Sequence, residues 1–321
     1  MSKQVDSSNS RELFPIRILA EKTRVGTSTL RAWERRYGLL KPQRTPKGHR
    51  LYSGQDAVRV QKIIHLVEDG HSLSDVAKLL ALDLGAGAAP VAPGASTQAA
   101  KTLWDDYIAS TVDAIRDFSV ERIDAVYNEA SSLYPLDMVT ERLVQPVLDI
   151  VGQGWTEYAE KGVAEEHFYT SWLRHRLGAR FHHAYTHAKG ARIVCACLPG
   201  SYHEVGLMLF SLSALSRGYR VLYFGADLPL DQLDHIHRHA AARAIILSSN
   251  TPIPSTVSAE LQKLIPLLKI PVFVGGNVDI QDEESTAFQS AGGILLGPNL
   301  TVALRVFESH VPAYPAAGGK R

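Results

Sequence analysis

The chain has 321 residues, 45% of them hydrophobic and 21% charged, which is ordinary for soluble globular protein and leaves room for two or three domains. No apolar run approaches the ~20 residues of a membrane-crossing helix, and the opening MSKQVDSSNSRELF lacks the apolar stretch of a secretory signal, so the expected location is the cytoplasm. Net charge is only +1, yet twelve Lys and Arg between Arg17 and Lys62 stand against Glu21, Glu34 and Asp56, a local +9 beside a remainder of −8. That asymmetry marks a polyanion-binding head joined to an acidic body.

Residues 1–14 are polar and are expected to be a disordered tail. In residues 15–82 the stretch IRILAEKTRVGTSTLRAWERRYGLL reads as helix, tight turn, helix. Ile16, Leu19 and Ala20 give the first helix an apolar face and Gly26 the turn. Thr27 or Ser28 can cap the second helix. That helix turns Arg31, Arg35 and Arg36 outward, while Leu30 and Trp33 or Tyr37 face inward, the division a DNA recognition helix needs. KPQRTPKGHRLYS then reads as a basic wing between two apolar anchors, with Arg44, Lys47, His49 and Arg50 placed to run along a phosphate backbone. Ser53 starts another helix, and Ser72-x-x-Asp75 reads as a capping box opening a fourth.

Thr29-Leu30-Arg31-Ala32-Trp33-Glu34-Arg35, Tyr37-Gly38-Leu39-Leu40, Pro42, Arg44, Gly48, Arg50 and Tyr52 together resemble the MerR family of regulators. The resemblance implies a winged helix-turn-helix over 15–82, a double-stranded DNA operator as partner, and a homo-oligomer, dimer or tetramer. Thr27, Ser28, Trp33 and Tyr52 complete the expected DNA-binding set.

Residues 83–100, nearly all small residues and proline, read as a flexible linker. Residues 101–190 are helical throughout, with breaks near Asp117–Ser119, Tyr134–Pro135 and Lys161–Gly162, the pattern of a four-helix bundle. From 191 to 311 short apolar runs (IVCACL, VLYFG, AIILSS, PVFVGG, ILLG) alternate with helical stretches. This predicts a Rossmann- or flavodoxin-like parallel sheet, with ligands at the carboxyl ends of its strands. Residues 312–321 are expected to be a flexible tail. The fold class is thus multidomain, α and α/β.

Directly after the first of those strands stands PGSYHEVGLMLF, with His203 followed by Gly206 at a strand-to-helix junction. This half resembles the cobalamin-binding domain of corrinoid methyltransferases, mutases and light-sensing MerR regulators of the CarH/LitR type. The resemblance implies adenosylcobalamin or another cobalamin as cofactor, with His203 ligating cobalt from below. Ser248 or Ser249 and Gly275-Gly276 would line the slot for the nucleotide tail, and Trp155, Glu166 and His167 would lie near the upper face. Three departures stand out. Ser201 replaces the acid two residues before the histidine, Thr156 follows the tryptophan, and ten residues rather than nine separate Trp155 from Glu166-His167.

The expected function is therefore a transcriptional regulator, a repressor in the first instance, controlled by adenosylcobalamin and by light, and not an enzyme. Two other readings compete. The sensing half serves as an interaction module or binds another ligand, or the chain is a corrinoid carrier for methyl transfer or isomerisation. Cys195 and Cys197 are expected to be core. His183 and His187 stand at helix spacing for a metal pair but suit a helix C-terminus. His235, His237 and His239, two apart, read as separate surface residues.

Overall fold

The computed structural model describes residues 13–82, 97–157, 162–185, 188–278 and 283–313. It divides into two compact units, Met1–Glu165 and Glu166–Arg321.

The first unit opens with β1 (Phe14–Pro15), α1 (Ile16–Thr23), α2 (Thr27–Tyr37), β2 (Gln43–Arg44), β3 (Arg50–Tyr52), α3 (Gly54–Glu68) and α4 (Leu73–Leu82). The three strands form an antiparallel sheet in the order β1-β3-β2, Phe14 opposite Tyr52 and Arg44 opposite Arg50. Phe14, expected in the tail, therefore belongs to the folded head; residues 1–12 lie outside the described residues. Leu19, Leu30, Trp33, Tyr52, Val60, Ile63 and Val76 are buried together as its core. Helix ends follow local chemistry. Gly38 closes α2 at φ +62°, a conformation without steric cost only for glycine. Ser53 and Asp56 cap α3 reciprocally, and Ser72 Oγ accepts the Asp75 N–H at 3.2 Å. The cap of α2 is Gly26, not Thr27 or Ser28, and no side chain bonds there.

The same unit continues with α5 (Thr97–Arg116), α6 (Val120–Leu133), α7 (Leu136–Val139), a π-helical turn at Thr140–Val144, and α8 (Gln145–Glu157). Helix α5 begins inside the stretch expected to be linker, whose residues 83–96 lie outside the described residues. Ser119 caps α6 through the Arg122 N–H, and Pro135 precedes α7, where the sequence placed its breaks.

The second unit takes in α9 (Gly162–Ala184) from Glu166 onward. Then come β4 (Arg192–Cys197), α10 (Val205–Ser216), β5 (Arg220–Gly225), α11 (Gln232–Ala240), β6 (Ala244–Ser248), α12 (Ser255–Leu268), β7 (Val272–Gly275), α13 (Glu283–Ser290), β8 (Ile294–Gly297) and α14 (Leu300–His310). The five strands are parallel, in the order β5-β4-β6-β7-β8. Val194, Ala196, Ile245, Leu247, Val272 and Val274 supply one buried face. Cys195 and Cys197 are free thiols at 0% exposure, core residues as expected.

Two boundaries differ from the sequence reading. The division between the units runs through α9, and within the second unit its Phe181 lies 5.4 Å, ring to ring, from Tyr223 of β5. The ordered chain also reaches Ala313, whose carbonyl accepts the Ala191 N–H at 2.7 Å; residues 314–321 lie outside the described residues.

Candidate functional site

On α2, Ser28, Arg31, Arg35 and Arg36 are exposed. Ser28, Arg31 and Arg35 stand three and four residues apart, so they form one polar stripe along the helix. The wing is the β2–β3 hairpin. Its turn is closed by Gly48 N–H to the Thr45 carbonyl at 2.8 Å, with Gly48 at φ +81° and Lys47 and His49 exposed.

The wing is tied to α2 by Glu34. Its carboxylate accepts from Arg50 Nε at 2.7 Å and lies 3.6 Å from Arg44 Nη2, with its own side chain only 14% exposed. Glu34 holds the Arg50 guanidinium above its ordinary pKa through that hydrogen bond. A guanidinium has five donors, so both arginines keep others for phosphate. In the sequence Glu34 is a charge and one position of the MerR-like motif, with no partner assigned. Its role required knowing that the wing folds back over α2.

Two residues expected to face DNA do not. Trp33 is 1% exposed and donates Nε1–H to the Leu133 carbonyl at 2.8 Å, and Tyr52 is 0% exposed. Both rings are consumed by packing, so they support the surface rather than form it.

In the second unit the sheet order places β4 between β5 and β6, so successive crossovers leave β4 in opposite directions. The crevice at the ends of β4 and β6 is where such sheets bind ligands. PGSYHE fills it. Asp227, at φ +54°, clamps this loop: Gly200 N–H donates to Oδ1 at 2.8 Å, Tyr202 OH lies 3.3 Å from Oδ2, and the Asp227 N–H donates to the Ser201 carbonyl at 3.2 Å. His203 follows, its side chain 52% exposed, with Nδ1 3.7 Å from Glu166 Oε1 of α9. That is ion-pair distance, too long for a hydrogen bond. Next along the loop, Glu204 accepts from Tyr223 OH at 2.9 Å and lies 4.0 Å from Arg174 of α9. Burial and the adjacent carboxylate together drive the Tyr223 phenol far above its usual range.

The fit of a large planar cofactor here can be tested on four features. Ser201 Oγ is buried without a hydrogen-bond partner, an orphan facing the crevice loop. Gly206 is the one exposed residue between Val205 and Leu215 of the otherwise buried α10, and a Cβ there would meet nothing within 4 Å. Nothing in the protein itself therefore requires glycine at that helical position, where it costs stability; bare backbone does suit close approach of a ligand. His203 turns Nδ1 toward a carboxylate, the arrangement metal-ligating histidines use. The Gly-Gly pair argues differently. A Cβ on Gly276 (φ +102°) would stand 2.2 Å from the Ser249 carbonyl oxygen, and one on Gly275 3.3 Å from Leu296 Cβ, so both glycines serve packing of the strand ends. Ser248 and Ser249 are buried there, with Ser249 Oγ donating to the Thr251 carbonyl at 2.8 Å.

The resemblance implies Glu166 near the upper face of a cofactor; in the structure the start of α9 brings Glu166 Oε1 within 3.7 Å of His203 Nδ1. His167, the next residue, is exposed. Trp155 stands on α8, but its side chain and that of His183 lie outside the described residues, as does His187. His235 and His239, read as separate surface residues, are four apart and share a helix face, their rings 4.1 Å apart. Among the described residues no group of three or more His, Cys, Asp or Glu is placed to hold a metal ion.

The family model "MerR HTH family regulatory protein" matches residues 14–83, and the model "B12 binding domain" matches residues 107–180. The HTH-type transcriptional repressor CarH of Myxococcus xanthus is 30% identical over 269 residues, 82% of this chain and 88% of that protein. The chain belongs to the CarH-type MerR regulators. A second Myxococcus xanthus regulator, the HTH-type transcriptional repressor CarA, is 27% identical over 265 residues, 81% of this chain and 85% of its own. In fold, this MerR regulator resembles the monomethylamine corrinoid protein of Methanosarcina barkeri, with a TM-score of 0.50 and 13% identity over 64% of this chain and 99% of that one. No helix among its described residues is long and apolar enough to cross a membrane.

Proposed function

We propose that this MerR regulator is a cytoplasmic, non-enzymatic transcriptional repressor that acts as a homo-oligomer on a DNA operator under the control of adenosylcobalamin. The observation that carries the reading is the switch-point histidine. His203 stands exposed at the strand end where such sheets bind ligands, with Nδ1 turned to a carboxylate, in a chain that opens with a basic winged helix. Bound adenosylcobalamin supplies a cobalt–carbon bond that light can break.

The residues divide the remaining work. His203 would hold cobalt through Nε2, and Glu166, 3.7 Å from Nδ1, would orient the ring in place of the acid that Ser201 lacks. Gly206 leaves α10 bare for close approach. Ser201 offers its unpartnered hydroxyl, and Ser248 and Ser249 with Gly275-Gly276 shape the far end of the crevice. His167 completes the set on α9. On the DNA side Arg31, Arg35 and Arg36 read the groove with Thr27 and Ser28 at the helix start, while Arg44, Lys47, His49 and Arg50 lie along phosphate.

The test is a desalted mixture of the full chain and adenosylcobalamin, prepared in the dark. Retained visible absorbance that changes on illumination is the expected result, with His203→Ala losing it. Colourless protein that still binds a duplex, selected by the wild type from a random library, would overturn the corrinoid half of the reading.

A further inference from the structure

Every helix leaves its last carbonyls without intrahelical partners, and two such ends in the first unit are met by donors from far along the chain. The carbonyl of Leu133, last residue of α6, accepts Trp33 Nε1–H of the recognition helix at 2.8 Å in a buried contact. The carbonyl of Glu68, last residue of α3 in the DNA-binding head, accepts Arg142 Nη2 at 3.1 Å from the π-helical turn before α8. The head thus donates to one sensor-side helix end and the sensor side donates to one head helix end. Aromatic packing extends the first contact: Tyr134, which ends α6, lies 4.8 Å ring to ring from Trp104 of α5, which in turn lies 5.8 Å from Tyr107. Leu133 and Arg142 both fall within the stretch matched by the B12-binding model, residues 107–180. Neither Trp33 nor Arg142 is spent on the head's exposed stripe.

We propose that this reciprocal docking surface is the interface through which the cofactor-binding helices set the recognition helix, with Trp33 and Arg142 as its positioning residues. The proposal rests on the corrinoid-regulator reading. A contact that grips the back of α2 biases the presentation of Arg31 and Arg35 without touching DNA. It works in both directions, since coupling between two binding events is reciprocal. Arg142 stands in a π-helical turn, an irregularity frequent at functional sites, and that turn leads directly into α8.

The experiment uses the full chain, wild type and the pair W33F/R142A, with R142A alone as the variant that changes only an exposed side chain. Binding to a labelled duplex, selected by the wild type from a random library, is measured in the dark with and without adenosylcobalamin. Amide exchange over residues 130–134 is followed with and without the duplex. The expected result is a wild type whose duplex affinity shifts at least tenfold with adenosylcobalamin and whose 130–134 exchange slows on binding duplex, against variants that shift less than twofold and show no slowing. Variants that respond like the wild type overturn the proposal and leave the corrinoid reading standing. A wild type indifferent to adenosylcobalamin overturns that reading, and the duplex-dependent exchange then decides the interface: no difference between wild type and variants refutes it.

Discussion

At Gly206 two demands conflict. A glycine in the first turn of a helix costs backbone entropy against alanine, less than the about 0.5–1 kcal/mol of a helix interior, and the open space around its Cβ position shows that packing among the described residues does not require it. Gly206→Ala is therefore expected to raise the melting temperature of the cofactor-free chain while weakening corrinoid retention at least tenfold, readable by calorimetry and by absorbance after desalting. Weaker stability with unchanged retention would refute that division. Gly276 behaves oppositely: alanine there collides with the Ser249 backbone at positive φ, and the fold itself should suffer. The thiols of Cys195 and Cys197 are pushed up to about 12, first by burial. An unfolded thiol ionises near 8.5, so the stability held by keeping them neutral is whole below roughly pH 8.5 and is lost as pH climbs toward 12. Tyr52 and Tyr134, also raised to about 12 chiefly by burial, add to the loss above roughly pH 10. Urea midpoints should fall from pH 8 to 10, and a C195A/C197A chain should fall less.

Among the elements, the wing depends most on a single contact. Glu34 draws Arg44 and Arg50 onto α2, and without it two like charges adjoin across the hairpin. Glu34→Gln is expected to lower stability by about 1 kcal/mol, as for partly exposed ion pairs, and to weaken duplex binding several-fold by loosening the wing. Thermal melts and fluorescence anisotropy check both, and a variant that binds as tightly as the wild type would show that the wing needs no such tether. Elements of this kind were only half legible beforehand. Helix breaks at Ser119 and Pro135 and all five strands follow from cap residues and apolar period, which are local. Strand β1 was missed because Phe14-Pro15 acquires its meaning only by pairing with Leu51 and Tyr52.

Across the whole molecule, charge is concentrated in the head. A +9 head predicts duplex affinity that falls steeply with salt, by counterion release. Arg31→Ala, on the groove-reading helix, should reduce affinity and relax sequence preference while leaving the slope of log affinity against log salt near that of the wild type. A slope lowered by about 1 with sequence preference intact would instead place Arg31 on a phosphate.

The chain order of modules, the basic head, the wing, the helical segment and the alternating strands were all written in composition and period, since each arises from interactions between near neighbours. The tertiary structure alone decided that Trp33 is an internal donor rather than a DNA contact, that Glu34 rather than solvent meets Arg50, that Glu166 stands beside His203, and that His235 pairs with His239. The first three join residues 16 to 100 positions apart, across distances over which sequence period carries no phase; the fourth is a helical neighbour pair whose ring contact depends on side-chain rotamers. Folding set each of them by burying apolar surface first and letting the polar groups find the partners left within reach.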